Sequence, residues 1–210
     1  MSRPDFQHEL GFRRRGLWPV AGVDEVGRGP LAGPVVAAAV ILDPDNLPAG
    51  VNDSKALSVK QREAAFENIM TSARAVGLAS VTASEIDRLN IRQASLAAMA
   101  RAVDALVLTP GYVLVDGRDR PPLSCPSSPI VKGDSISLSI AAASIVAKVM
   151  RDALMRRLAT LYPEYGFETN VGYASKQHLN ALDIHGPTPL HRFSFAPLRH
   201  ASLDMTDRDR

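Results

Sequence analysis

The sequence contains a single cysteine, Cys125, among its 210 residues. One thiol cannot form a disulfide within the chain, so a disulfide-stabilised secreted scaffold is excluded and a reducing compartment, the cytoplasm, is expected. No catalytic motif surrounds Cys125, which lies in a segment rich in proline and serine. We therefore interpret it as an ordinary loop thiol rather than a nucleophile.

Long apolar segments are missing as well. The longest, residues 34–42, is far shorter than the roughly 20 residues that span a bilayer. No apolar segment of signal-peptide length follows the basic triplet at residues 13–15. We expect no membrane association.

The chain also has little excess charge of either sign. Its formal net charge is +2, which permits a polyanionic partner without requiring one. Apolar residues make up 46% of the chain, which is ordinary for a globular protein and excludes general disorder. We expect a monomer with one domain at residues 18–200, a loose polar arm at residues 1–17 and a polar tail at residues 201–210.

The spacing of apolar residues predicts several strands followed by alternating helices and strands. Helices are predicted from capping residues and from apolar side chains at helical spacing; they begin at Ser58, Asn90, Ile140 and Ser175. Strands are predicted from short apolar segments, the first two as a hairpin, at residues 20–24, 34–42, 75–81, 112–116 and 130–131. This order indicates an α/β fold with a mixed central sheet flanked by helices.

Four acidic residues lie at the ends of apolar segments that should be buried: Asp24, Glu25, Asp116 and Asp134. A carboxylate in such a place is costly unless it is paired, hydrogen-bonded or metal-bound. Taken singly, each acid has an ordinary alternative as a salt-bridge partner, a turn residue or a helix cap. The spacing alone does not show that the four converge.

Convergence of these acids would point to a metal site. Several carboxylates brought together raise one another's pKa, and a hard cation offsets that repulsion. Oxygen ligands suit Mg²⁺ or Mn²⁺ rather than zinc. A pair of such ions about 4 Å apart can activate water and stabilise the leaving oxygen in phosphodiester hydrolysis.

The segment AGVDEVGRGPLAGP at residues 21–34 closely resembles the type 2 ribonucleases H, specifically the bacterial ribonuclease HII family. Further blocks resemble the family in the same order over about residues 20–199: NDSKALS at 52–58, VDG at 115–117, VKGDS at 131–135, IAAASIVAKVMRD at 140–152, YPEYGF at 162–167 and GPTPLHRFSF at 186–195. The resemblance implies a ribonuclease H-like fold with a C-terminal helical segment. It also implies a metal-dependent endoribonuclease that acts on RNA–DNA hybrids and on ribonucleotide-containing duplex DNA.

The resemblance assigns roles that the spacing could not. It implies that Asp24, Glu25, Asp116 and Asp134 are the catalytic residues and hold Mg²⁺ or Mn²⁺. It implies cleavage 5′ of single ribonucleotides, with 5′-phosphate and 3′-hydroxyl ends, as part of ribonucleotide removal from DNA.

Substrate-binding residues follow from the same resemblance. Gly27, Arg28 and Gly29 match the loop that contacts the ribose 2′-hydroxyl, where glycines let the backbone come close to the group that separates RNA from DNA. Tyr173 matches the tyrosine that packs on the neighbouring deoxyribose at an RNA–DNA junction. Candidate phosphate contacts, for which a solvated side chain or an ion pair with Asp152 is the alternative, are Lys55, Lys148 and Arg151.

The chain departs from the family pattern at two places. Asn170 and Val171 stand before Gly172-Tyr173, where the family often has His-Lys, and Phe193 stands where many members carry a second arginine. A cation that could contact phosphate is therefore missing near Tyr173. Neither departure touches the four acids.

Two other functions are compatible with such a fold. A nuclease that acts on DNA alone is disfavoured by the Gly-Arg-Gly loop and Tyr173, and comparing all-DNA with RNA-containing duplexes would discriminate. A non-catalytic nucleic-acid-binding module would be expected to lose acids, and metal-dependent turnover would exclude it. A dinucleotide-binding interpretation of Gly27 and Gly29 is weak, because the later glycine of that fingerprint is missing.

Overall fold

A computed structural model describes residues 3–198 and contains one mixed sheet of five strands in the order β3-β2-β1-β4-β5. The strands are β1 Val20–Val26, β2 Val35–Ile41, β3 Ala75–Val81, β4 Tyr112–Asp116 and β5 Ser127–Ile130. β1, β2 and β3 pair antiparallel, whereas β4 and β5 run parallel to β1. The α/β class and the mixed sheet predicted from the sequence are confirmed.

Within residues 3–198, seven α-helices accompany the sheet: α1 Gln7–Arg14, α2 Val59–Ser72, α3 Ala83–Leu89, α4 Ile91–Asp104, α5 Leu138–Ala159, α6 Phe167–Asn170 and α7 Lys176–His185. The predicted caps are present: Ser58 closes a capping box with Gln61, and Asn90 accepts hydrogen bonds from the first turn of α4. Ser175 caps α7 in the same way. No helix among residues 3–198 combines the length and apolar character needed to cross a bilayer.

The helices cover both faces of the sheet because β2 is apolar on both. Ala37 and Ala39 pack towards α4, and Ala38 and Val40 pack towards α2 and α5. A Cβ at Gly22 of β1 would lie 2.2 Å from the main chain of Ser139, so only glycine lets the start of α5 rest directly on β1. This contact fixes where α5 begins on β1, and later residues of α5 reach Asp24 and Gly27 at the carboxyl end of the strand.

A smaller apolar cluster joins the C-terminal helices to the far half of α5. Its buried members are Ala32, Met155, Tyr165, Phe167 and Ala181. The predicted C-terminal helical segment is thus part of the same packed unit.

The expectation of a loose arm at residues 1–17 is wrong for the described part, because α1 packs onto the start of α5. Glu9 is fully buried, and its Oε1 accepts hydrogen bonds from Ser137 Oγ at 2.6 Å and Ser139 N at 2.9 Å. A buried carboxylate with such donors anchors the helix. The polar tail predicted at residues 201–210 lies outside the described residues.

One strand and one helix also differ from the predictions. The last strand is Ser127–Ile130 rather than residues 130–131, and its Pro129 is tolerated because β5 is an edge strand. The helix α3 was not predicted, although Thr82 and Glu85 form a capping box in front of it.

Candidate active site

The four acids lie together at one edge of the sheet. Asp24 and Glu25 are near the end of β1, Asp116 is the last residue of β4, and Asp134 lies in a 3₁₀ turn after β5. Because β1, β4 and β5 are parallel, their carboxyl ends meet at the same edge. The main-chain N–H of Gly133 donates to Asp116 Oδ1 at 2.7 Å and ties the turn to β4.

The carboxylates of this edge repel one another. Burial raises the pKa of Asp24 well above its ordinary value, and the charges of Glu25 and Asp116 raise it further. Burial likewise raises the pKa of Asp116, and the charge of Asp134 adds to the shift. Burial raises the pKa of Glu25 too, with the Arg28 guanidinium opposing the shift. This linked set of acids has the electrostatics that a bound cation would relieve.

Protein cations already engage two of the four acids. Lys55 Nζ lies 3.2 Å from Asp134 Oδ2, and Arg28 Nη1 lies 3.0 Å from Glu25 Oε1. With the side chains as they lie, no group of three or more His, Cys, Asp or Glu among residues 3–198 is close enough together to hold a metal ion. The donor set is nevertheless all carboxylate oxygen, which fits Mg²⁺ or Mn²⁺ rather than a softer metal.

The acids open into a cleft of about 450 Å³. Its walls carry three of the acids and most of the predicted substrate contacts: Asp24, Glu25, Asp116, Arg28, Lys55, Lys148 and Tyr173. Asp134 lies just behind this wall, beside Asp116 and Lys55. The cleft thus brings together three of the four predicted acids and four of the predicted substrate contacts, whereas Gly27 and Gly29 do not line it.

Ser54 and Ser144, which were not predicted, contribute to the floor of the cleft. Their Oγ atoms are 2.8 Å apart in a buried position, and a hydrogen bond from Ser144 opposes the upward shift in the pKa of Asp24. The only sequence signal was their place inside two of the family-like blocks.

The main chain of the Gly-Arg-Gly loop is hydrogen-bonded to Arg192. No role was predicted for this residue from the sequence. Arg192 is fully buried and donates to the carbonyl oxygens of Gly27 at 2.6 Å, Arg28 at 2.9 Å and Gly33 at 2.8 Å. Gly27 has a φ of +92°, and a Cβ there would lie 2.2 Å from the side chain of Arg151. The loop conformation thus depends on the absence of a side chain at Gly27 and on the hydrogen bonds that the Arg192 guanidinium donates to the loop.

The prediction that Arg151 contacts phosphate is wrong. Its guanidinium is buried and donates to the carbonyl oxygens of Pro34 at 3.0 Å, Val171 at 3.0 Å and Ala32 at 3.2 Å. These carbonyls lie where α5 meets the C-terminal helices, away from solvent. Lys148 pairs with Asp152 at 2.9 Å, as the alternative interpretation had it, and still lines the cleft.

The departures near Tyr173 have structural consequences. Asn170 accepts from Gly172 N at 2.8 Å and donates to the Tyr165 carbonyl at 2.7 Å, so its amide shapes the turn before Tyr173. Val171 adopts a left-handed conformation with a φ of 44°. The position predicted to lack a cation therefore carries a branched apolar side chain in an unfavourable region.

Solved structures share this architecture. The ribonuclease H2 from Pyrococcus horikoshii OT3 is 27% identical, with a TM-score of 0.74 over 91% of this chain and 99% of that chain. The structure of the PCNA:RNase HII complex from Archaeoglobus fulgidus matches at 28% identity and a TM-score of 0.72, over 85% of this chain and 95% of that one. A more distant match in fold, at 21% identity and a TM-score of 0.62 over 90% of this chain and 70% of that one, is Bst-RNase HIII in complex with Mn²⁺. Fold and cleft together define an endoribonuclease of the ribonuclease H type.

The sequence comparisons narrow this class to one family. The family model for ribonuclease HII matches residues 21–198. A ribonuclease HII from Sinorhizobium fredii is 57% identical over 199 residues, which cover 94% of this chain and 86% of the relative. One from Rhizobium meliloti is 59% identical over 197 residues, covering 93% and 91%. The chain belongs to the ribonuclease HII family.

Proposed function

We propose that this enzyme hydrolyses the RNA strand of RNA–DNA hybrids and cuts on the 5′ side of single ribonucleotides embedded in duplex DNA. It leaves 5′-phosphate and 3′-hydroxyl ends and acts as a monomer in the cytoplasm, in the removal of ribonucleotides from DNA. The observation that carries this proposal is the shared cleft, where acidic side chains, the Gly-Arg-Gly loop and an exposed tyrosine face the same space.

In this proposal Asp24, Glu25, Asp116 and Asp134 hold the divalent metal and form the catalytic set. Mg²⁺ or Mn²⁺, with two ions present during catalysis, would supply the Lewis acidity that activates water and stabilises the leaving 3′ oxygen. The protein's own contribution is to bury these carboxylates at a rigid sheet edge, where their mutual repulsion favours cation binding.

Recognition of the ribose falls to the two elements beside the acids. The main chain of Gly27 to Gly29, fixed by Arg192, can approach a 2′-hydroxyl closely. Tyr173 lies next to Gly29, where its ring can pack on the following sugar. A deoxyribose fits closely against a flat ring, whereas an added 2′-hydroxyl would be crowded. Lys55 and Lys148 supply positive charge for the phosphates.

The experiment is cleavage of a DNA duplex with one ribonucleotide, in Mg²⁺, in Mn²⁺ and in chelator, beside an RNA–DNA hybrid and an all-DNA duplex. We expect metal-dependent cleavage of both RNA-containing substrates and none of the all-DNA duplex. Products ending in a 2′,3′-cyclic phosphate, or full activity in chelator, would contradict the proposal. Equal cleavage of the all-DNA duplex would indicate a DNA nuclease.

A further inference from the structure

Two histidines, His178 and His191, lie buried behind Tyr173 and outside the acidic site. Their Nε2 atoms are 3.0 Å apart, and the rings of Tyr165 and Phe167 pack around them. None of the ion pairs formed within residues 3–198 involves either imidazole. Their role is therefore to be sought in hydrogen bonding rather than in charge.

The partners of the two rings fix where their protons are. His178 Nδ1 lies 2.8 Å from the Tyr173 carbonyl oxygen, which can only accept, so Nδ1 carries the proton and Nε2 is an acceptor. Thr188 N–H donates to His191 Nδ1 at 2.9 Å, so the proton of His191 is on Nε2. The two assignments agree, because His191 Nε2–H then donates to His178 Nε2. Burial lowers the pKa of both rings, in keeping with neutral imidazoles.

This chain of hydrogen bonds runs from Thr188 through both histidines and ends at the carbonyl oxygen of Tyr173, which lines the cleft. Tyr173 is 46% exposed, and its ring has Gly29 as a neighbour, where a Cβ would lie 3.5 Å away. Because nearly half of the residue is exposed, the position of the ring depends largely on its backbone. The Tyr173 carbonyl accepts from His178 and from Ser175 N at 2.8 Å, while the preceding Gly172 carbonyl accepts from Leu31 N at 2.8 Å.

We propose that His178 and His191 are positioning residues, which as a neutral pair fix the Tyr173 main chain and so hold its ring beside the Gly-Arg-Gly loop. By fixing the ring they set the preference for a deoxyribose after the cut ribonucleotide. This inference rests on the junction role proposed for Tyr173 above. Both histidines are buried and neither lines the cleft, so their role is positioning rather than catalytic.

Nitrogen NMR on the unmodified full chain tests the pair without any activity assay. Long-range ¹H–¹⁵N correlations show which ring nitrogen is protonated. At neutral pH we expect the Nδ1–H form for His178 and the Nε2–H form for His191. The reversed form in either ring, or an imidazolium, would overturn the proposal.

Substrate selectivity tests the link to Tyr173. The quantity is the ratio of kcat/KM for the single-ribonucleotide duplex to kcat/KM for the RNA–DNA hybrid. His178→Leu should lower this ratio on the order of tenfold, since small misplacements of a substrate-positioning group cost that much or more. His178→Asn, whose amide can stand in for Nδ1–H, should restore most of it. His185→Leu, an exposed change on the same helix, is the matched control.

A variant that combines His178→Leu with Tyr173→Ala distinguishes an effect on the position of Tyr173 from a general loss of stability. If the histidines act through Tyr173, His178→Leu should lower the ratio no further in a Tyr173→Ala background. Equal losses on both substrates, or a further fall in the double variant, would show a merely structural role and refute the inference. A normal ratio in Tyr173→Ala alone would instead refute the junction role itself, whatever the NMR shows.

Discussion

The Lys55 ammonium lies 3.2 Å from Asp134 Oδ2, although most of the lysine side chain is exposed at the mouth of the cleft. Burial of its end lowers the pKa of Lys55, but the carboxylates of Asp134, Asp24 and Asp53 together raise it above its ordinary value. The lysine thus stays charged while it reaches from the acids towards solvent. In the proposed function, such a cation would contact a phosphate of the bound duplex.

Replacing Lys55 should therefore weaken duplex binding in a salt-dependent way. We expect Lys55→Met to raise the Kd several-fold and to reduce the slope of log Kd against log salt by about 0.9, the value for one lost phosphate contact. Lys60→Met, an exposed lysine of α2 that does not line the cleft, is the control. An unchanged slope in Lys55→Met would exclude a phosphate contact.

Asp116→Asn should abolish cleavage and stabilise the metal-free protein. Loss of a metal-holding charge removes several kcal/mol of transition-state stabilisation, so kcat should fall on the order of a thousandfold or more. The raised pKa of Asp116 means that the folded state keeps this proton to higher pH than the unfolded chain does. Protonation of Asp116 therefore stabilises the folded state. This contribution is fully present below the pKa of the unfolded chain and is lost as the pH rises through the pKa of the folded protein.

Thermal unfolding in chelator checks the stability part of this prediction. Asp116→Asn should melt above the wild type at pH 8, and the difference should shrink as the pH falls towards the acidic range. Addition of Mn²⁺ should raise the Tm of the wild type more than that of the variant. A variant with near-native turnover would show that Asp116 is not a metal ligand.

Asp116 and Arg151 differ in how well the sequence predicted their surroundings. A strand is a local pattern, so the apolar run before Asp116 predicted both the strand and an acid at its end. The side chain of Arg151 is placed by distant segments, namely Ala32, Pro34 and Val171. No window around residue 151 contains those carbonyls, and a basic residue in a charged helix segment suggested solvent or phosphate.

Glu9 and Arg192 were missed for the same reason. A polar N-terminal segment looks like a loose arm until the main chain of Ser139, 130 residues away, is seen to donate to Glu9. Arg192 lies 165 residues from Gly27, whose carbonyl it binds. Family-like motifs located the acids and the Gly-Arg-Gly loop, but the buried groups that hold the loop become visible only in three dimensions.

Acid should destabilise the protein through His191. Burial, and then the neighbouring His178, lower the pKa of His191 to about 4, whereas the unfolded chain takes up this proton near pH 6.5. Between these values the unfolded state binds more protons, so stability falls with falling pH, by at most about 1.4 kcal/mol per pH unit from this group. Denaturant unfolding at pH 7, 6 and 5 should give a flatter profile for His191→Gln than for the wild type. Parallel profiles would mean that folding does not lower the pKa of His191.

Val171 stands where the family often has a lysine, so restoring a cation there is a gain-of-function test. It has a φ of 44°, which is unfavourable for a β-branched side chain, and its carbonyl accepts from Arg151 at 3.0 Å. Because that contact uses the main chain, an unbranched side chain can replace valine without breaking it. The valine side chain also packs on the apolar cluster that contains Met155 and Phe167. Val171→Lys should therefore leave the Tm close to that of the wild type, because relief of the branched side chain at positive φ offsets the lost packing.

The new lysine should also strengthen binding beside Tyr173. We expect a lower Kd for the single-ribonucleotide duplex and a salt slope steeper by about 0.9, with kcat unchanged because the acids are untouched. Val171→Met, which removes the branch but adds no charge, is the matched control and should share only the stability change. In a Lys55→Met background, Val171→Lys should recover part of the lost affinity. If Val171→Lys and Val171→Met bind alike at every salt concentration, no phosphate comes within reach of a side chain at residue 171, and the departure from the family pattern there has no bearing on substrate affinity.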